Sequence, residues 1–355
     1  MNTPTSSRLA SKLPVSPAQE PSRPVQDQPT IDASSRIPKG ERALVLGGGG
    51  STGNAWLIGV VAGLYDAGMD VTAADLTIGT SAGATAAAQI AGATPPELFN
   101  ATVDPATLSP RAFAELGSKG SGAGQGSAGQ SAGQPAAGQL APRAQGANHV
   151  AEHMERTRKI LDAALDMADM RRRMGAAALD MAAAMEGASV RWRTTVASRL
   201  PQQAWPEGSM LLTAVDAKTG EPVVFDRYSG VDLADAVAAS CASGFAYSIG
   251  SNQYIDGGYR TNAENADLAA GYPRVLVLSP FGGRTRTPRE WGMHLEAQVE
   301  ALRGSGSQVQ TVYPDTASEF MFGVNAMDLS LRPRAARTGY EQGQSLAGEL
   351  AAFWS

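Results

Sequence analysis

The sequence predicts an α/β fold built on a parallel sheet, and three observations carry that prediction. From residue 42 to about residue 93, strand-like and helix-like patterns alternate, and both strand-like runs stop at glycine. A later run, "PRVLVLSP" at 273–280, is apolar at consecutive positions, as expected of a strand covered on both faces. No internal repeat competes with this reading.

Taken in order, "RALVLGGGG" reads as a buried strand ended by glycines, with order beginning at Arg42. In "NAWLIGVVAGLYDAG", Trp56, Val60 and Leu64 recur at helical spacing, and Gly68 suits a C-cap. "ADLTIG" is a second short strand and "SAGATAAAQIAGA" a second helix. Residues 150–199 read as helical, with Met167, Met170, Met174, Met181 and Met185 near one face. That face suits either core packing or an adaptable wall beside an acyl pocket. "SMLLTAVDAKTGEPVVFD" reads as two strands about a turn at Lys218-Thr219-Gly220, where Asp216 is turn chemistry. "LADAVAASCASGF" is a small-residue helix and "QYIDGGY" a strand ending in a turn. Residues 288–304 and 332–354 are helical in pattern.

The chain has 355 residues, 43% of them hydrophobic, enough for a large core. Residues 1–40, rich in Pro, Ser, Thr and Gln, are expected to be a disordered tail. Residues 117–148 are low in complexity and are expected to be a flexible insertion in a single domain spanning 41–355. A net charge of −5 argues against nucleic acid as a partner. Arg171–Arg173 and Arg332, Arg334 and Arg337 read as solvated helix surface. Cys241 is the only cysteine, so no internal disulfide forms, and its apolar surroundings suit an inert core residue. The first residues lack an apolar signal region, and no segment has about 18 uninterrupted apolar residues. A cytoplasmic protein, at most peripheral at a membrane or micelle, is the expectation; nothing sets its oligomeric state.

The chemistry turns on serine. The pattern G-x-S-x-G occurs at 49–53, 79–83 and 129–133, as a chain with 40 glycines allows. Ser131 lies in the low-complexity insertion, and Ser51 sits within a glycine run better suited to donating backbone amides. Ser81 alone follows an apolar strand and opens a helix, where Gly79 and Gly83 permit a tight turn that exposes Oγ. Its helix N-terminus offers amides and a positive dipole end to developing negative charge. A simple N-cap is the structural alternative. A nucleophilic serine needs a base. His149 borders the insertion and His153 starts the next helix, so neither suits the role. Ser81, Asp256 and His294 follow the chain order of an α/β-hydrolase triad, but His294 sits in a continuous helical pattern. Asp256 ends a strand before Gly257-Gly258, so it can act directly on the serine, or merely form an Asp-Gly turn. The loop "LVLGGGGSTG" can aim successive amides at one point as an oxyanion hole. The same loop, Gly48-x-Gly50-x-x-Gly53, also fits a dinucleotide fingerprint, yet the acidic residue expected to end the second strand is missing.

Three elements therefore stand in order: Gly48-Gly49-Gly50-Ser51-Thr52-Gly53, Gly79-Thr80-Ser81-Ala82-Gly83 and Asp256-Gly257-Gly258. Together they resemble the patatin-like phospholipase family, over about 42–100 and 205–354. The resemblance implies a three-layer α/β/α fold with a mainly parallel central sheet. It implies a Ser–Asp dyad without histidine, Ser81 as nucleophile, Asp256 as base, and Gly48, Gly49 and Gly50 as the oxyanion loop. Substrates would be phospholipids, galactolipids, acylglycerols or smaller acyl esters, with no metal or organic cofactor. Two departures stand out. Thr52 occupies a position usually held by Arg or Lys, which removes a fixed positive charge. Ser243-Gly244 stands where proline is common, which leaves the approach to Asp256 less constrained.

Overall fold

The computed structural model describes residue 1, residues 32–104 and residues 142–355, the last without the side chains of 142–152. The expected tail and insertion lie outside the described residues, except at their inner edges. Residues 34–36 form a 3-10 turn, with the Ala33 amide on Val224 and Arg36 paired to Asp226 at 3.0 Å. Composition assigned these residues to the tail because their partners lie far along the chain. Residues 142–148, expected in the insertion, already belong to a helix.

The strands are β1 (Arg42–Leu46), β2 (Leu76–Gly79), β3 (Ser209–Asp216), β4 (Pro222–Phe225), β5 (Tyr247–Ile249), β6 (Asn252–Asp256), β7 (Arg274–Leu278) and β8 (Gln308–Val312). They form one sheet in the order β5-β6-β3-β2-β1-β7-β8, with β4 also paired to β3. From β3 to β8 the neighbours are parallel; β4 and β6 are antiparallel to β3. The expected mainly parallel sheet is thus present.

Side chains of β1 alternate between two cores, as strand geometry demands. Leu44 and Leu46 pack with helix α1 (Gly50–Asp66), helix α2 (Ala82–Ile90) and the C-terminal helix, while Ala43 and Val45 pack with a helix near residue 300. Helices therefore flank both faces. Helix α3 (Pro95–Val103) opens with a Thr94–Glu97 capping box. The 150–199 stretch is helical as expected, in three helices: α4 (Pro142–Ala163), α5 (Met167–Ala183) and α6 (Ala188–Ala197). Asp166 caps α5 and a left-handed Gly187 precedes α6. Met167, Met170 and Met174 are core residues against Val215 and Ile255, whereas Met185 is exposed.

Helix α7 (Leu233–Ser240) is followed by the loop to β5; α8 is Leu295–Gly304 and α9 is Arg332–Trp354. The helical pattern expected over 288–304 is broken, since Gly292 adopts φ 65° and His294 is the N-cap of α8. Helices α1 and α9 meet backbone to backbone. A Cβ on Gly59 would collide with the Ala336 carbonyl, and one on Gly343 with the Val60 carbonyl. That close contact sets α9, and the segment leading into it, over the start of α1.

Candidate active site

The parallel strands β1 and β2 deliver their carboxyl ends to the same edge, where ligand sites of open α/β sheets form. β1 runs into the glycine loop and β2 into the Ser81 turn. Gly79 pairs with Leu212 at the end of the β2–β3 register, and just beyond it the Thr80 and Thr213 hydroxyls lie 2.9 Å apart. Ala214, two residues further along β3, pairs with Asp256 at the end of antiparallel β6. The two strand pairings therefore bring the Ser81 turn and Asp256 to the same end of β3.

Their side chains meet: Ser81 Oγ donates to Asp256 Oδ2 at 2.8 Å. Asp256 Oδ1 accepts from the Gly258 amide at 2.8 Å, which orients the carboxylate. Asp256 is 6% exposed. Burial pushes its carboxyl up to about 6, against the opposing pull of the Gly258 amide and the Ser81 hydroxyl. The hydroxyl has no histidine partner among the described residues. His294 is held at the start of α8 with Nδ1 buried and unpartnered.

Ser81 has φ 53° and ψ −113°, and its side chain does not cap α2. The N-cap alternative is therefore overturned as far as its hydrogen bond is concerned. Ser81 and Asn265 are the two non-glycine residues with positive φ among the described residues. Such conformations cost on the order of 1–3 kcal/mol each and need surroundings that over-determine them. The surroundings are present. The Ser81 amide donates to Ser240 Oγ at 2.9 Å, and Cys241 Sγ donates to the Ser81 carbonyl at 3.0 Å. Thr80 and Thr213 hydroxyls lie 2.9 Å apart. Asn265 Nδ2 reaches Thr80 Oγ1 and the Gly257 carbonyl, each at 3.0 Å. This buried asparagine thus ties the serine turn to the aspartate turn. Two glycines are compulsory here: a Cβ on Gly83 would meet the Leu46 carbonyl, and one on Gly257 the Thr213 backbone.

Cys241 is half-buried against the main core, and burial pushes its thiol up to about 12, with the Asp256 charge adding to the rise. Its contact with the serine carbonyl was not legible. Nor is the approach to Asp256 loose despite Ser243-Gly244. The Asp256 amide donates to the Ala242 carbonyl at 2.9 Å, and Ala246 N–H to Ala178.

The glycine loop lies against the serine: a Cβ on Gly48 would sit 3.6 Å from Ser81 Cβ. The expected trio of donors narrows to two. Gly48 N–H is spent on the Ala263 carbonyl at 2.7 Å, because the loop after Asp256 passes directly beside it. The amides of Gly49 and Gly50, at the start of α1, stay open among the described residues. Gly53 faces Pro280 and leaves α1 room to approach. Buried Thr52 donates its N–H to Ala326 O at 3.0 Å and its hydroxyl to Met321 O at 2.8 Å.

Thr52 carries no charge, but a guanidinium reaches the loop from α9. Arg332 Nη1 donates to the Ser51 carbonyl at 2.6 Å, and Nη2 to Asn54 Oδ1 at 3.1 Å. Burial, with Arg199 nearby, lowers the guanidinium to about 10. Arg332 therefore is not solvated surface, and neither is Arg171, which donates to the Gly220 carbonyl at 2.7 Å. Among the described residues no cluster of His, Cys, Asp and Glu could hold a metal ion, and no helix is long and apolar enough to cross a membrane.

The model of the Patatin-like phospholipase family matches residues 44–269, more than half of the chain. No curated protein matches it. Among solved structures, VipD from Legionella pneumophila is similar at 14% identity and a TM-score of 0.36, over 88% of this chain and 67% of that one. The type III effector protein ExoU is similar at 14% identity and a TM-score of 0.33, over 88% of this chain but only 53% of its own length.

Proposed function

Because the chain belongs to the patatin-like phospholipase family, we propose that it hydrolyses acyl esters of lipids with Ser81 as nucleophile and Asp256 as its base. The observation that carries this reading is the 2.8 Å hydrogen bond between Ser81 Oγ and Asp256 Oδ2. An N-cap serine would instead turn its hydroxyl to the amides of its own helix.

The steps follow from the positions. Ionised Asp256 takes the Oγ proton as Oγ bonds to the ester carbonyl carbon. The oxyanion so formed faces the Gly49 and Gly50 amides and the N-terminus of α2. Collapse breaks the bond to the alcohol, which leaves with the proton from Asp256 and an acyl-Ser81 behind it. Water then gives a proton to Asp256 as its oxygen attacks the acyl carbon. The second collapse frees the fatty acid and returns the proton to Ser81. Each open amide is worth about 2.7–4 kcal/mol at an oxyanion. The reading treats 41–355 as one hydrolase domain acting on phospholipids, other acyl lipids or smaller esters, and it routes no step through a metal or organic cofactor.

The test is turnover of p-nitrophenyl butyrate. Ser81→Ala and Asp256→Asn each lower it by at least about a thousandfold, and a fluorophosphonate probe modifies Ser81. Full turnover by Ser81→Ala ends the proposal. Lipid binding without turnover in the wild type would mark a non-catalytic relative.

A further inference from the structure

Exposed large apolar side chains are not spread evenly over this protein. Among the described residues after Met1, Tyr65, Leu165, Met185, Val190, Tyr228 and Tyr313 are scattered between positions 65 and 313. Phe320, Val324, Met327 and Leu329 fall within one ten-residue stretch, at 46%, 67%, 59% and 52% exposure. The stretch is built of three short 3-10 turns, Glu319–Met321, Gly323–Asn325 and Leu329–Leu331. It is not loose. Met321, Phe322 and Ala326 are buried between the exposed positions, with Phe322 edge-on to Trp56 at 6.3 Å. Thr52 holds the Met321 and Ala326 carbonyls. The same segment is therefore anchored through one set of side chains and presents another to solvent.

Its charges are arranged to match. Asp315 accepts from the Ser318 amide and Asp328 from the Ser330 amide, and Glu319 pairs with Arg284 at 3.4 Å. Of these three carboxylates, Glu319 is paired with a cation and the two aspartates are turned back onto their own turns. Arg334 lies over the Phe320 ring at 4.7 Å. Neither Arg334 nor Arg337 has a carboxylate partner among the described residues. An apolar tip with arginines behind it suits the boundary between acyl chains and phosphate headgroups.

We infer that residues 319–331 dock this protein on a phospholipid surface, with Phe320, Val324 and Leu329 entering the acyl region and Arg334 and Arg337 meeting the headgroup phosphates. Position favours a lipid surface as the occupant. A Cβ on Gly50 would lie 2.8 Å from the Ala326 carbonyl and 3.1 Å from Met327 Sδ, so the patch borders the glycine loop beside Ser81. A lipid held there is already at the site. A second copy of the chain fits less well, since four half-exposed side chains fall short of the about 800 Å² per partner of a stable dimer. Docking itself does not depend on Ser81 chemistry; only its effect on turnover rests on the function proposed above.

The full chain carrying Ser81→Ala is sedimented with vesicles of phosphatidylcholine and phosphatidylglycerol in equal parts. The expected result is binding that falls about tenfold or more when Phe320, Val324 and Leu329 are replaced together by serine, three apolar anchors being lost. Arg334→Gln with Arg337→Gln should remove much of its salt sensitivity. With Ser81 intact, the triple serine variant should hydrolyse p-nitrophenyl butyrate at the wild-type rate while losing activity on vesicles. Vesicle binding unchanged in the triple variant overturns the inference. So does a dimer that the triple variant dissolves without any change in vesicle binding. Vesicle binding that depends on the patch, in a protein with no esterase turnover, would keep the docking surface and remove the catalytic reading.

Discussion

The two halves of the site are held by different physics. The serine half is fixed by buried polar side chains: Ser240 accepts from the Ser81 amide, Thr213 bonds Thr80, and Asn265 bonds Thr80 and the Gly257 carbonyl. The glycine-loop half is fixed by backbone approach and by one C-terminal segment, through Ala263, Ala326 and Arg332. The first half confines strained backbone; in the second, the Gly49 and Gly50 amides have no partner among the described residues. A loop whose amides are kept open cannot be held by those amides, so its fixing points come from carbonyls and from elsewhere in the chain.

The largest expected effect falls on the serine half. Asn265→Ala leaves Thr80, Thr213 and the Gly257 carbonyl with fewer partners and places alanine at φ 55°. An under-satisfied buried group costs about 1–3 kcal/mol and left-handed alanine about 1 more, so a loss of roughly 2–4 kcal/mol is expected in urea unfolding. Esterase activity should fall with it as the serine turn loosens. Asn265→Gly separates the causes, for it removes the bonds but tolerates the backbone. If glycine restores most of the stability, the polar network is not what holds this half.

A smaller effect, of opposite sign, comes from Asp256. Its folded carboxyl titrates near 6 because it is buried, whereas the unfolded group titrates at about 4. Between those values the folded protein keeps a proton that the unfolded chain loses. The stability attached to this group is therefore unchanged below about pH 4, falls as pH rises to about 6, and stays low above that. Asp256→Asn removes the penalty while keeping an acceptor for Gly258 and a donor for Ser81. The variant should gain on the order of 2–3 kcal/mol over wild type at pH 7.5 and little at pH 4. Activity should move the other way, with wild-type kcat/KM rising through about pH 6 as the base ionises. A variant no more stable than wild type at pH 7.5 would mean that the carboxylate is not penalised by burial.

How much of each half was legible follows from where its partners lie. The alternation from β1 to α2, the turn at Ser81 and the strand end at Asp256 are local patterns, and the structure places all of them as read. The meeting of Ser81 and Asp256 required the antiparallel pairing of β6 with β3, which no local pattern encodes. The resemblance of three ordered motifs stood in for that pairing, and the family match bears the resemblance out. Asn265 gave a faint signal, as asparagine is among the residues that tolerate left-handed backbone. Nothing in "GGGGSTG" says that Gly48 is spent on Ala263, because that bond is made by a chain segment more than 200 residues away. The charge at the loop is hidden for the same reason: position 52 is threonine, and a guanidinium reaches the loop from position 332.

Arg332 therefore gives the smallest and most discriminating test of the two halves. It donates only to neutral acceptors, Ser51 and Asn54, and it is largely out of water. Removing it gives up those hydrogen bonds but also relieves the desolvation of an unpaired cation, so the two contributions to stability oppose each other. Arg332→Gln should shift unfolding by no more than about 1 kcal/mol. Its effect on rate has no such offset, since the loop amides lose both a brace and a nearby positive charge as the oxyanion forms. A fall of about tenfold in kcat, equal to about 1.4 kcal/mol, is expected with p-nitrophenyl butyrate. Arg332→Lys keeps the charge without the fork and should fall between. If Arg332→Gln destabilises the fold as much as Asn265→Ala, the glycine loop is held as rigidly by polar bonds as the serine turn, and the contrast between the halves is lost.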